Sequence, residues 1–455
     1  MTQFCSVCGH RGLAPCVEYG PIPLCDAYSP DRAKAMAVPT YEVNAVTCKA
    51  CSHTELADKA PEEQIYIDYK YYSSNSPDLN EHFTEYAEWL RSRLDLKAGA
   101  VHMDVGCNDG LLLEKTRYGG FGTVGIDPSP AATHAAEKGF KVYKDFLTEH
   151  LIRRNMLEES ADVITCNNMM ANVRDLNGFG RCLNRMLKKN GCVVVETLHF
   201  PTLVRNAVFE MINHEHYHYF SARSICQYFE SIGLKPVSCD RTATKGGNMR
   251  CVARKISSSS GAAAIDPKLG EAEANIDMKR FLSILETARD TLSHKIEEAR
   301  DRGPIAGFGA VGGSTILMYL LKLQDNVEFF VDDHPSRHGC FVPGSGIPVI
   351  SPEEYHKRKP GLTILFAWRF GRQIAAKHQS SMPAGHEFLL ANTGEALSTS
   401  GSRAILILHL GYHSTKVQRR VWGANSNRTE TACMNPPEES RCKKKSQLNH
   451  QLNTF

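Results

Sequence analysis

The sequence predicts an α/β protein of three units: a small four-cysteine domain followed by two Rossmann-like domains. Three observations carry this. Two C-x2-C pairs sit in a short, turn-rich opening segment. Apolar runs of strand length alternate with helical stretches over 76–255 and again over 303–395, the rhythm of a parallel sheet with crossover helices. A glycine-punctuated turn follows the leading strand of each block, with an acid about twenty residues further on. The boundaries read as 1–60 for the cysteine domain and 76–255 for the first Rossmann-like domain. A linking helix and the second Rossmann-like domain take 262–397, and a basic tail takes 398–455.

In the opening unit Cys5 and Cys8, and forty residues on Cys48 and Cys51, form two knuckles whose thiolates can reach one tetrahedral ion. Two such pairs close a four-thiolate site with no open position for chemistry, which points to structural zinc. A domain of ~60 residues also buries too little surface to be comfortable without such a staple. Cys16 and Cys25 lack paired spacing and read as packing residues.

The central block places strands near 101–105, 122–126, 161–165 and 191–196. The first runs into Asp104-Val105-Gly106-Cys107-Asn108-Asp109-Gly110, after which Leu111 opens a helix. Gly106 and Gly110 let backbone approach a ligand, and Asp104 or Asp109 can hold a cation or polar group. Asp127 ends the second strand, where an acid accepts hydrogen bonds from ribose hydroxyls. Asn167 and Asn168 fall at the carboxyl end of the strand that Asp162 opens, where ligands bind in open α/β sheets. Further on, His214, His216 and His218 alternate with other residues. An extended segment would set all three on one face, open to a metal, a surface strand or an acid–base site.

The glycine loop is not a dinucleotide fingerprint. Its form resembles the first motif of class I S-adenosylmethionine methyltransferases, with Asp104, Gly106, Asn108, Asp109 and Gly110 as cofactor residues. Across the chain the resemblance is to the sugar C-methyltransferase family. It is carried by the cysteine pairs, Pro23-Leu24-Cys25-Asp26-Ala27-Tyr28, Tyr71-Tyr72-Ser73-Ser74, the glycine loop, Asp175-Leu176-Asn177, and Glu215-His216 with Tyr219-Phe220-Ser221. In the last block it continues in Gly307-Phe308-Gly309-Ala310, Val331-Asp332-Asp333 and Pro343-Gly344. The resemblance covers roughly 1–395 and implies S-adenosylmethionine, structural zinc, and methylation of the carbon next to the ketone of a nucleotide-linked 4-ketosugar. It implies His216 as base, Glu215 beside it, Tyr71 or Tyr72 as a substrate hydroxyl contact, and Arg250 against phosphate. Asn172 stands where the family commonly has His, and Asn213 where it has Tyr. Asparagine hydrogen-bonds but is no acid or base at neutral pH.

The linking helix reads from Leu269 to about Arg300, and strands follow near 305–308, 327–331 and 362–366. Gly307-Phe308-Gly309-Ala310-Val311-Gly312 is a literal G-x-G-x-x-G with Asp332 beyond it, and the helix after Gly312 offers its N-terminus to a diphosphate. Gly309 and Gly312 are therefore expected at the substrate. Read alone, this motif supports an NAD-dependent sugar-nucleotide enzyme. A zinc-containing binding protein without catalysis is the third reading.

Composition agrees with a globular enzyme. Of 455 residues 42% are hydrophobic and 23% charged, and the net charge of +3 demands neither nucleic acid nor a membrane surface. No run approaches the ~18 apolar residues that span a bilayer. Met1 to Gly12 has no apolar core of a secretory signal, and the sixteen cysteines read as mostly reduced thiols, so a cytoplasmic monomer is expected.

Overall fold

The structure, a computed structural model, describes residues 4–66, 72–94, 96–242, 244–256 and 261–397. Tyr71, the serine-rich stretch 257–260 and the basic tail 398–455 lie outside the described residues.

Three sheets organise the chain. The first is antiparallel, in the order Leu13–Pro23, Thr40–Cys48, Thr54–Leu56 and His218–Tyr219. Its last strand comes from far downstream, with Thr54 opposite Tyr219 and Glu55 opposite His218. The cysteine unit is thus not built from its own residues alone.

The second sheet has eight strands. Parallel strands Leu187–Leu198, Ala161–Asn167, Val101–Val105, Gly122–Ile126 and Lys141–Tyr143 carry the helices between them. Asn248–Arg254 then joins antiparallel to Leu187–Leu198 and to Lys235–Thr242. Ser76 accepts from Leu79 N–H with Pro77 at the first turn, which starts helix Pro77–Arg93 over this sheet. The third sheet is wholly parallel, in the order Val349–Ile350, Phe329–Val331, Ile305–Phe308, Leu362–Leu365 and Glu387–Leu390.

The linking helix is a correction: it is two helices, Pro267–Ala274 and Met278–Ala299. The sustained three- and four-residue apolar spacing begins only at Phe281, and the Asp277 side chain accepts from Arg280 N–H and starts a new helix. The second helix buries Phe281, Leu285, Ala288, Leu292 and Ile296 in one core. That core runs from Val17 and Val43 through Leu203 and Phe209 to Phe330 and Ile364. Loop 209–216 therefore lies where the three sheets' cores meet. No described helix is long and apolar enough to cross a membrane.

Burial pushes His214 down to about 4, with the carbonyls of Tyr41 and Ile22 opposing the shift. An unfolded histidine titrates near ~6.5, so between that pH and about 4 the unfolded chain binds the extra proton and acid destabilises the fold. In urea titrations His214→Gln should gain about 2 kcal/mol relative to the native chain between pH 7.5 and pH 5. A constant difference across that range would show that His214 titrates in the folded chain as it does in the unfolded one.

Candidate active site

A cavity of about 640 Å³ opens at the carboxyl ends of strands Val101–Val105, Gly122–Ile126 and Ala161–Asn167. Asp104, Gly106, Asn108, Asp127, Asn167, Asn168 and Asn172 all line it. The glycine loop reaches this position because Gly106 takes φ +79°, and a Cβ there would lie 2.7 Å from Met169 Cγ. Asp127 fixes the loop from the next strand: Oδ2 accepts from Asn108 N–H and Oδ1 from Ser129 N–H, both at 2.8 Å. Each oxygen keeps a second lone pair, so ribose hydroxyls can still donate to it.

Asp109 and Gly110 stand behind this lining. Asp109 Oδ2 accepts from Ser74 N–H at 3.1 Å, and Gly110 packs against Ala135 at the start of helix Leu111–Tyr118. Ser73 N–H donates to Asn108 Oδ1 at 2.9 Å, so Tyr72, half-buried and edge-on to His134, is tied beside the loop.

Ser129 Oγ, Asn167 Oδ1 and Asn172 Oδ1 are buried cavity-lining atoms without a hydrogen-bond partner. Each such atom costs roughly 1–3 kcal/mol unless a ligand satisfies it. A nucleoside with an amino-acid arm carries the hydroxyls and amine to do so, and the cavity fits S-adenosylmethionine on that ground. Sequence reasoning missed Ser129, Phe83 of helix Pro77–Arg93, and 145–147, where Phe146 is an exposed apolar side chain. The last group follows the strand Lys141–Tyr143, whose three residues give too short an alternation to read. An acid and an aromatic after a third parallel strand were the available signal.

The histidine segment is not one extended face. His214 Nε2 bonds Ile22 O at 3.1 Å, His216 Nδ1 bonds Met211 O at 2.9 Å, and His218 Nε2 bonds Val173 O at 3.0 Å. Only His218–Tyr219 is strand. The sole group of metal-ligand geometry among the described residues is Cys5, Cys8, Cys48 and Cys51, their sulfurs all within 4.8 Å of one another. His218 ties the segment to Val173, the neighbour of Asn172 in the cavity wall.

Three expected roles meet a different geometry. Asn213 serves its own loop: Nδ2 donates to Glu210 O and Oδ1 accepts from Glu215 N–H, both at 2.9 Å. Its amide is therefore committed to shaping the turn that carries Glu215 and His216. Arg250 is buried, its guanidinium bonded to Glu196 Oε2 at 2.9 and 3.1 Å and stacked 3.8 Å from the Tyr86 ring. Freeing it for a phosphate would leave the buried Glu196 carboxylate held, among the described residues, only by Thr244 and His82 at its other oxygen.

The second glycine motif, where a diphosphate was expected, is faced by the chain's own side chains. A Cβ at Gly309 would meet Ala367 N at 2.8 Å, so this glycine serves strand packing. Asp26 lies 3.3 Å from a Cβ placed on Gly312, and Glu210 2.7 Å from one on Gly313. Two carboxylate side chains face the helix N-terminus that an anion was expected to occupy. The backbone device is nonetheless the same as in the first loop: Asp332 accepts from Ala310 N–H at 2.7 Å and from His334 N–H at 2.8 Å.

Comparison with known proteins agrees with this geometry. Residues 79–239 match the family model described as a methyltransferase domain, and 243–391 match that of the C-methyltransferase C-terminal domain. The chain is 25% identical over 406 residues to the C-methyltransferase NovU of Streptomyces niveus, covering 85% of this chain and 94% of that one. It is 34% identical over 116 residues to a ubiquinone biosynthesis O-methyltransferase of Pseudomonas syringae pv. tomato, covering 24% of this chain and 49% of that one. A solved SAM-dependent methyltransferase from Archaeoglobus fulgidus covers 38% of this chain and 94% of its own, at 15% identity and a TM-score of 0.33. The two family models take up the two Rossmann-like blocks in succession, and the chain is a methyltransferase that resembles the S-adenosylmethionine-dependent C-methyltransferases across both.

Proposed function

We propose that the protein methylates the carbon next to the ketone of a nucleotide-linked 4-keto deoxysugar, with His216 as the base. The observation that carries this reading is the bond between His216 Nδ1 and the Met211 carbonyl. A carbonyl only accepts, so Nδ1 holds the hydrogen and Nε2 holds the lone pair of the neutral ring. The same bond steadies the imidazolium once Nε2 has taken the α-proton. S-adenosylmethionine, when bound over 106–110, supplies an electrophilic methyl group. Breaking the C–H bond would pass the proton to Nε2, and the enolate carbon would form the new C–C bond as the methyl–sulfur bond breaks, its electron pair staying on sulfur.

Glu215, held by Asn213 through its backbone N–H and accepting from the Cys25 thiol at 4.0 Å, orients the base. Tyr72 and Asn172 supply hydrogen bonds to the sugar side of the cavity, Asn172 through its unpartnered Oδ1. Zinc on Cys5, Cys8, Cys48 and Cys51 is structural. The pairs at 3.5 and 3.6 Å lie near the ~3.8 Å separation that ~2.3 Å bonds impose on a tetrahedral ion. No disulfide joins the fourteen described cysteines, which agrees with a reducing setting.

Incubation of the native chain with S-adenosylmethionine and a panel of nucleoside-diphosphate 4-keto-6-deoxyhexoses should yield a C-methylated sugar. His216→Asn should bind both ligands while turning over ~10²–10⁴-fold more slowly. Solvent deuterium entering the α-carbon reports deprotonation alone. Exchange that survives in His216→Asn and disappears in His214→Asn would move the base to His214.

Two further outcomes follow. Gly106→Ala, with its Cβ against Met169 and its φ of +79°, should weaken S-adenosylmethionine binding at least tenfold by calorimetry (about 1.4 kcal/mol). Elemental analysis should find one zinc per chain. Stripping it should abolish methyl transfer, because the strand His218–Tyr219 hangs on the cysteine unit's sheet.

A further inference from the structure

A chain of buried hydrogen bonds runs away from the cofactor cavity beneath Asp104. Thr165 Oγ1 lies 2.6 Å from Asp104 Oδ1 and 2.7 Å from His102 Nε2. His102 Nδ1 lies 2.9 Å from Thr116 Oγ1, which sits 3.0 and 3.2 Å from the carbonyls of Leu112 and Leu113. His102, Thr116 and Thr165 are fully buried, and only Asp104 reaches the cavity.

Hydrogen counting constrains this chain. Thr116 sits beside two carbonyls, which only accept; in the arrangement where its one hydrogen goes to them, it accepts from His102 Nδ1–H. A neutral imidazole then presents a bare Nε2, which needs the Thr165 hydrogen. Burial pushes His102 down to about 3, so the ring is neutral. Thr165, having donated to Nε2, has no hydrogen left for Asp104. Two bare oxygens at 2.6 Å would repel, so the hydrogen between them belongs to Asp104.

We infer that a large share of the unliganded protein near neutrality carries Asp104 as a neutral carboxylic acid, held so through Thr165 by His102, and that binding of the cationic methyl donor expels its proton. One proton passes to solvent, Asp104 becomes a carboxylate, and Thr165 turns to donate to it. The His102 hydrogen then stands on Nε2, facing Thr165, and Thr116 turns to donate to Nδ1.

The surroundings of Asp104 agree. Burial is the largest influence and pushes its carboxyl up to about 7, with the Asp127 carboxylate adding to the rise and Thr165 and Asn167 opposing it. Tyr86 from helix Pro77–Arg93, Cys107 from the glycine loop and Cys166 from strand Ala161–Asn167 also face it. Burial drives all three upward, so none is a competing charge near neutrality. The acid thus takes full charge when a sulfonium is present to balance it. It recovers its proton when methyl transfer has turned the sulfonium into a thioether, which favours exchange of product for fresh donor.

The inference rests on Asp104 lining the cofactor's cavity. Calorimetric titration of the native chain and of Asp104→Asn with S-adenosylmethionine, in phosphate and in Tris at pH 7, counts the protons released. The native chain should release about half a proton more than the variant, since half of Asp104 is protonated at its titration midpoint. Equal counts overturn the inference. Nitrogen-15 spectra of histidine-labelled protein supply a second reading that does not need the Asp104 variant. The His102 signal, assigned by its loss in His102→Gln, should shift from a mixture containing Nδ1–H to Nε2–H when the donor binds. One tautomer in both states overturns the relay. A native chain that binds no S-adenosylmethionine overturns the cavity's assignment itself, a failure distinct from binding without proton release.

Discussion

Every part of the fold takes hold of the segment 209–219, and the site depends on that grip. The opening sheet supplies the Ile22 carbonyl to His214 and pairs with His218–Tyr219. The linking helix lays Phe281 against Phe209 at 4.6 Å between ring centres. The third block reaches in with Trp368 and Arg369, which donate to Glu210 Oε1 at 3.1 and 2.9 Å. The central sheet receives His218 at Val173, and Tyr217 O–H donates to Ala60 O at 2.8 Å. His216 is half-buried in the middle of this frame, so its ring orientation is set by the meeting of all three sheets.

The two glycine loops show one backbone device put to two uses. Asp127 and Asp332 each end a second strand and each accept two backbone N–H groups, one from the glycine loop and one from two residues beyond the acid itself. What differs is the material facing the loop. Over the first lies a cavity with unpartnered polar atoms in its wall; over the second lie Asp26, Glu210 and Tyr28, whose hydroxyl donates to Val311 O at 3.1 Å. Helix N-termini attract negative charge, and here the protein supplies that charge from its own chain.

Much of this was legible locally. The cysteine spacing, the Asp104–Gly110 loop and the strands that lead into both glycine turns are short-range patterns, and the sheets follow from them. What escaped is long-range. A two-residue strand such as His218–Tyr219 has no periodicity of its own and acquires its identity from Thr54 and Glu55. Within 269–300 the apolar face slips between Ala272 and Phe281, and that slip with the capping carboxylate of Asp277 is all that marks the break. Asn213 could face a sugar or its own loop with equal chemistry, and Arg250 a phosphate or Glu196. Those choices are made by tertiary neighbours that the sequence does not place side by side.

The distant fourth strand of the opening sheet also orders events on the ribosome. Thr54–Leu56 emerges with one side paired to Thr40–Cys48 and the other side bare. Its partner, His218–Tyr219, is translated some 160 residues later, which at ~5–20 residues per second leaves the edge uncovered for roughly 10–30 s. Within that interval the edge can recruit another nascent chain. Glu55 sits in it, bonded to Ser6 and Lys59, and places a buried charge where a foreign strand would have to add. The residue that braces the cysteine knuckle thus also guards the sheet until His218–Tyr219 arrives to close it.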